Sequence, residues 1–352
     1  MNMYYCDKKG ILILKIAIDA FGGDNAPLEI IEGVILALNK HKNLEVVLCG
    51  DREKIEEILN GRNERIEIVD AKEVISNSEH PTEAIRQKKD SSLVKAYDVL
   101  KERDDVVGLV SAGSTGAVLA GAIMKIGRIK GISRPALAPI LPTKKDSDVI
   151  IVDSGANIDC KPINLVHFAL MGSAYYSIVY QKESPRVALL NVGEEDEKGN
   201  ELTKETFPLL QKAPINFIGN KEGRDYMSGD VDVMVADGFA GNALLKGTEG
   251  AVAAVLSILK QSIKRRFWSK IGAIFMKKTF SDVKNRVDIL SKHGGSPLLG
   301  CKKLVVKNHG SCKRQNICSS IEQTMLLHEN HLIEKIEEAI NKFAVVEDGE
   351  TK

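Results

Sequence analysis

Continuous apolar runs rich in β-branched residues recur along the chain, and each closes on a turn rich in Gly or Asp. They are ILILKIAID (11–19), EVVLC (45–49), IEIVD (66–70), VVGLV (106–110), VIIVD (149–153), VALLN (187–191), INFI (215–218) and VDVMVAD (231–237). Most do not alternate apolar with polar positions, which is the pattern of strands buried on both faces. Helical patterns lie between them. One opens at Pro27, a residue suited to a first helical turn, and runs to Lys42; others cover 81–102, 116–127, 162–181 and 201–212. Strand–helix alternation of this kind predicts an α/β fold, a mostly parallel sheet with helices on both faces.

From Gly241 to Phe280 the strand signal disappears. Val252, Val255, Leu256, Leu259, Ile263, Phe267, Ile271 and Ile274 are linked by three- and four-residue spacings, with Val255 and Leu256 adjacent, which places them on one helical stripe. Between Lys260 and Lys278 stand seven Lys or Arg residues and no Asp or Glu. A second helical stretch, 317–343, leads to the tail EDGETK (347–352), read as a solvated end. Residues 1–14 are expected to form a leader, 15–331 the α/β domain with 241–280 as its protruding amphipathic segment, and 332–352 a helix end and tail. Lys8, Lys9 and the apolar stretch after them resemble a signal peptide, but that stretch runs into Asp19 without a small-residue cleavage site. It reads as the first strand.

A length of 352 residues suits one large α/β domain or two. Lys and Arg total 49 against 48 Asp and Glu, and 5% of residues are aromatic, a balance that disfavours a general nucleic-acid binder. No unbroken apolar run approaches the roughly 18 residues of a membrane span. The six cysteines, Cys6, Cys49, Cys160, Cys301, Cys312 and Cys318, form no CxxC pair and no zinc-type spacing, so they are expected to be reduced thiols of a cytoplasmic protein. His328 and His331 form an HxxH pair with no third ligand nearby in sequence, and no metal is expected there.

In a doubly wound sheet, ligands bind at the carboxyl ends of strands, where Gly-rich loops feed helix N-termini. Four such loops stand out. They are Asp19 to Pro27, with Gly22, Gly23, Asp24 and Asn25; Ser111 to Gly116, with Gly113, Ser114 and Thr115; Asp153 to Asn157, with Gly155; and Asp237 to Asn242, with Gly238 and Gly241. Glycines let a ligand approach the backbone, and free N–H groups cradle an anion. GxGxxG, GxxxxGK[ST] and GxSxG are all absent, so the usual nicotinamide fold, a P-loop and an α/β-hydrolase elbow lose support.

These loops carry a resemblance. DAFGGDNAP, HPTEAIRQKKDSS (80–92), SAGSTGA, DSGANIDC, NVGEEDEKGNEL (191–202), FIGNKEGRD (217–225), DGFAGNALLKGTEG (237–250) and GGSPLLG (294–300) resemble the ordered blocks of the bacterial phosphate acyltransferase (PlsX-type) family. The blocks span about Lys15 to Ile321. The chain departs from the family pattern at Phe21, at Ser114 and in CKRQNICSSI after Ser311, where methionine, asparagine and an Ala-Phe pair are expected.

The resemblance implies a Rossmann-like three-layer α/β/α fold and a homodimer. It also implies a reaction in which acyl-[acyl carrier protein] and inorganic phosphate give acyl phosphate and free carrier protein, feeding phospholipid synthesis without a cofactor. A thiolate is a good leaving group, so phosphate can attack the thioester directly while oriented donors hold the oxyanion. Lys246, Asn242 and His309 are the expected catalytic residues, and the loop residues named above the substrate site. Lys246 reads equally as a surface lysine, and His309 as a capped loop histidine. Lys88, with Arg86 and Lys89 beside Ser91 and Ser92, reads as a phosphate or carrier contact or as a solvated face. Cys160 reads as a buried thiol rather than a nucleophile.

Arg265, Arg266, Phe267, Trp268, Ile271 and Phe275 match an interfacial helix that meets anionic lipid, or a dimer-interface helix. Peripheral membrane association and a downstream glycerol-phosphate acyltransferase partner are expected on the same resemblance. The alternatives are an acyl-CoA-dependent phosphotransacetylase-like enzyme and a non-catalytic membrane scaffold.

Overall fold

The apolar runs become strands of two sheets in the computed structural model, which describes residues 13–62, 64–287 and 294–350. Residues 1–12 of the expected leader, Cys6 among them, and the tail residues 351–352 lie outside that description. The first sheet is built from β1 (Leu14–Asp19), β2 (Leu44–Gly50), β3 (Ile66–Asp70), β4 (Val106–Ser111), β5 (Ala136–Leu137), β11 (Ser296–Leu299) and β12 (Leu304–Lys307), in the order β3-β2-β1-β4-β12-β11-β5. Strands β3 to β12 in that order run parallel, and β11 is antiparallel to both its neighbours. The second sheet contains β6 (Ile140–Pro142), β7 (Asp148–Val152), β8 (Arg186–Asn191), β9 (Asn216–Glu222) and β10 (Val233–Val235), ordered β6-β7-β10-β8-β9, with only β6 antiparallel. The fold is α/β with mostly parallel sheets flanked by helices, and its strands divide over two sheets.

Each sheet is covered on both faces, as the unbroken apolar runs require. On one face of the first sheet lie α1 (Leu28–Lys40), α2 (Arg52–Leu59) and α11 (Arg314–Glu329), which contribute Ile31, Ile55 and Ile317 to the core. On the other lie α3 (Pro81–Gln87), α4 (Ser92–Glu102) and α5 (Thr115–Gly121), with Tyr97 fully buried. The helix α6 (Pro162–Tyr180), apolar on nearly all sides, is buried between the sheets, as that composition demands. Its Phe168 and Tyr175 share a core with Leu210 of α7 (Glu201–Lys212), Ile336 of α12 (Leu332–Glu350), and Leu299 and Leu304 of the first sheet. Gln323 Nε2 donates to Tyr175 Oη at 2.5 Å across that junction.

Several elements differ from the sequence expectation. The segment 81–102 is two helices, because Ser91 Oγ accepts from Val94 N and starts α4 afresh. Helix α2 and the short strands β5, β6, β11 and β12 were not expected. Leu14, placed in the leader, is 1% exposed in β1, and residues 347–350 of the expected tail continue α12.

The helical segment begins with α8 (Gly238–Arg265), followed by α9 (Phe267–Phe275) and α10 (Lys277–Val287). Only Gly238, Gly241 and Leu245 of α8 are buried, and α9 buries no residue. By length and composition α8 is apolar enough to cross a membrane, and none of its most apolar window is buried. A search for unbroken runs misses this because isolated charged residues interrupt it. Its first turns are fixed in the core, so the rest projects as an arm. Arg286 of α10 ties the far end back: it donates to Asp148 Oδ1 at 3.1 Å and to the carbonyls of Ser147 and Thr143 at 2.6 and 3.1 Å.

Candidate active site

Asp153 organises the loop at the end of β7. Its buried carboxylate accepts from the backbone N–H groups of Leu137, Ser154, Ala156 and Asn157 at 2.6–3.2 Å, and from Asn157 Nδ2 at 3.0 Å. The loop seats the start of α8. Gly238 N donates to Asn157 O at 2.7 Å, and Asp237 caps the helix by accepting from Ala240 N at 2.7 Å. A Cβ on Gly241 would lie 1.9 Å from Asp153 O, so only glycine permits this approach. Asp153, Asn157, Asp237, Gly238 and Gly241 therefore build the site's frame.

The first sheet supplies a second frame. Asp19, fully buried at the end of β1, accepts from Ser111 Oγ at 2.7 Å, and Gly113 N donates to that same hydroxyl at 3.0 Å. Burial raises the Asp19 carboxyl above its ordinary pKa. A Cβ on Gly22 would meet Asp19 Oδ2 at 2.3 Å and Gly113 N at 2.7 Å, so the two loops interlock. Asn25 Nδ2 donates to the carbonyls of Ser311 and Cys312 at 3.1 and 3.0 Å, and Asp24 N to Gly310 O at 2.7 Å. These contacts fix the loop that carries His309. Gly23 at φ +100° and Gly116, whose Cβ would lie 2.6 Å from Pro81 Cγ, are likewise packing positions, and Ser114 precedes α5 without a side-chain cap.

Between the two frames lies a cavity of about 310 Å³. It gathers Thr115, Gly155, Asn242, Lys246 and His309 of the sequence-derived set, and adds Ser154, Lys307 and Glu249. Leu137, Pro139, Ile140 and Leu245 give it an apolar side, and Gly294 to Ser296 pass across it. Three cationic or basic side chains meet here. Lys246 Nζ is paired with Glu249 Oε2 at 2.7 Å, and half of its side chain is exposed. Burial lowers the Lys307 ammonium to a pKa of about 8, with Lys246 pushing the same way. Burial also lowers His309, again with Lys246 and Lys307 nearby, and its Nδ1 lies 2.8 Å from Ser311 Oγ.

Other expected residues lie elsewhere. Lys88 Nζ donates to Val74 O at 2.8 Å and pairs with Glu79 at 2.9 Å, tying down the 74–79 loop outside the cavity. Arg86 and Lys89 are exposed, while Ser91 and Ser92 are buried. Cys160 is half-buried with its thiol pushed up to about 11 by burial, the opposite of an activated nucleophile. Arg265, Arg266, Phe267, Trp268, Ile271 and Phe275 sit on the arm and line no part of the cavity. Phe267, Trp268 and Phe275 are 70, 79 and 86% exposed.

The departures have local accounts. Phe21 lies over Gly50, where a Cβ would come within 2.2 Å of the ring, and Ile317 and Cys318 of the divergent C-terminal block are buried core residues. Lys307 was missed because the apolar run LVV before it is too short to be read as a strand. The signal was its position, at a strand's carboxyl end two residues before His309.

Residues 14–335 match the model of the family described as fatty acid synthesis protein. The chain is 45% identical over 330 residues to a phosphate acyltransferase of Clostridium tetani (strain Massachusetts / E88), covering 93% of this chain and 98% of that one. It is 46% identical over 325 residues to a phosphate acyltransferase of Clostridium acetobutylicum, covering 91% and 97%. Among solved structures, the EutD phosphotransacetylase from Staphylococcus aureus superposes with a TM-score of 0.56 at 16% identity, over 90% of this chain and 94% of that one. A branched-chain phosphotransacylase from Enterococcus faecalis V583 gives 0.55 at 13% identity, over 90% and 99%. Those two likenesses establish the fold. The chain belongs to the fatty acid synthesis protein family, whose curated members are phosphate acyltransferases, and it is an acyltransferase.

Proposed function

We propose that this chain transfers the acyl group of an acyl-[acyl carrier protein] to inorganic phosphate, giving acyl phosphate and free carrier protein for phospholipid synthesis. The observation that carries the reading is the convergence of Lys246, Lys307 and His309 on one cavity at the carboxyl ends of both sheets. A small, highly charged oxyanion must be held there, partly desolvated, against a carbonyl carbon. A phosphate oxygen forms the new C–O bond, and the C–S bond breaks as the tetrahedral intermediate collapses. Asn242 and the Gly155 backbone stand on the wall as donors for the oxyanion. The thiolate leaves as an anion into the same cationic surroundings and takes a proton from His309 or water.

The arm supports the location of the work. Its exposed aromatics beside a basic stretch suit a peripheral contact with anionic lipid, and the same surface offers the acidic carrier protein a complementary charge. We place the enzyme in the cytoplasm as a homodimer that rests on the membrane face, where it hands its product to a downstream glycerol-phosphate acyltransferase.

The test is release of carrier-protein thiol from long-chain acyl carrier protein, with and without phosphate. The reading expects phosphate-dependent release and an acyl hydroxamate on trapping with hydroxylamine. Turnover of acyl-CoA alone assigns the carrier differently. A covalent acyl-enzyme found by mass spectrometry overturns direct attack.

A further inference from the structure

Lys307 occupies a position unlike that of any other lysine at the cavity. It ends β12, in register with Ser111 of β4 on one side and with Ser296 of β11 on the other. Its stem is therefore held by a strand in the middle of the first sheet, and its ammonium reaches the cavity floor from a rigid support. A Cβ on Gly295 would lie 2.6 Å from Lys307 O, so the chain crossing above it is also close-packed.

Charges of both signs lie around it, and burial outweighs them. Lys246, His309 and Glu249 line the same cavity; Lys246 pushes the ammonium pKa down, while Asp24 and the Cys312 thiol act in the opposite sense. Glu249 is already paired with Lys246 at 2.7 Å. The Lys307 ammonium makes no ion pair or hydrogen bond with a described residue, whereas every other basic side chain at the cavity has a partner. A largely buried ammonium without a direct partner, with a second lysine at the same cavity, is costly to the folded protein by itself. An anion in the cavity reverses that cost, and the reduced dielectric strengthens the attraction.

We propose that Lys307, rather than Lys246, is the principal cation that holds the phosphate for attack. This rests on the reading of the chain as a phosphate acyltransferase and names the side chain that recognises its acceptor. Lys246 is half-exposed and committed to Glu249, so its charge is screened and shared. The lowered ammonium pKa fits a group whose counter-ion arrives with the substrate. Lys307 forms no covalent bond in the reaction; it donates N–H groups to a phosphate oxygen other than the attacking one.

The test compares the wild type with Lys307→Met and Lys307→Arg, in steady-state kinetics and in thermal melts with and without inorganic phosphate. The inference expects Lys307→Met to raise the KM for phosphate roughly 30- to 100-fold, the loss of one charge-assisted contact. The KM for the acyl thioester stays within about twofold, and Lys307→Arg recovers part of the loss. The melting temperature without phosphate does not fall, since the change removes an uncompensated charge, and the rise that phosphate gives the wild type disappears. An unchanged phosphate KM overturns the inference, and a KM increase for the thioester alone assigns Lys307 to the acyl donor instead. A lower melting temperature with both KM values unchanged makes Lys307 purely structural. If the wild type forms no acyl phosphate yet loses phosphate stabilisation on Lys307→Met, the acyl-transfer reading fails while the anion site stands.

Discussion

Glycine 241 shows how a single residue positions chemistry it does not perform. Its Cα sits against the Asp153 carbonyl, and a methyl group there would meet backbone at 1.9 Å, which no rotamer change relieves. Gly241→Ala is expected to push α8 off the 153–157 loop, costing about 2 to 3 kcal/mol as overpacking. Asn242 and Lys246 move with the helix, so turnover should fall at least about 100-fold. Urea unfolding and the thiol-release assay check the two arms; full activity with an unchanged midpoint would show that α8 tolerates the displacement. Residues of this kind were legible in the sequence as loop glycines, and Thr115, Gly155, Asn242, Lys246 and His309 do share a cavity. What one dimension hides is the division of labour. Asp153 and Asn25 look like ligands because they are polar and sit in turns, yet each is occupied by backbone groups. Lys307 looked inert because it follows three apolar residues, while in space it shares a cavity with Lys246 and His309.

At the scale of elements, the eight long apolar runs were readable because burial on both faces leaves an unbroken signal. Strands β5, β6, β11 and β12 are two to four residues long, too short for any periodicity, and the choice of partner that splits the strands into two sheets is non-local. Contacts between distant elements have the same character. Glu29 of α1 accepts from Arg314 of α11 at 2.5, 2.8 and 3.1 Å, through the guanidinium and the backbone N–H. These donors hold its carboxyl down at about 2. A depressed folded pKa contributes stability above the ordinary carboxylate value of about 4.5, and the contribution is lost as pH falls through about 2. Glu29→Gln should therefore cost about 1 kcal/mol at pH 7, after allowance for screening of a pair near the surface. The deficit should shrink below pH about 4.5 and vanish near pH 2. Parallel pH–stability curves for the two proteins would remove the pair from the account of how α1 and α11 are joined.

For the whole molecule, the telling feature is that one helix serves both ends of the proposed function. The first turns of α8 carry Asn242 and Lys246 into the cavity, and the same 28-residue rod continues to Arg265. At about 1.5 Å per residue it spans about 42 Å. Phe267, Trp268, Ile274 and Phe275 lie just beyond its end, each at least 70% exposed, and Arg286 pins the return helix to the β6–β7 turn. An exposed aromatic cluster of this kind is costly in water and has no occupant within the described fold, whereas the headgroup boundary accommodates rings and cations together. Because the arm is remote from the cavity lining, its surface chemistry and the catalytic step should separate cleanly. Changing Ile274 and Phe275 together to Glu leaves Trp268, the single tryptophan, in place as a reporter. The wild type is expected to show a blue shift of Trp268 emission on addition of vesicles containing anionic lipid, weakened by salt. The double variant should show no shift, yet form acyl phosphate from dissolved acyl carrier protein at the wild-type rate. A shift retained by the variant would move the contact away from α9, and loss of turnover in solution would mean that the arm also shapes the site to which α8 connects it.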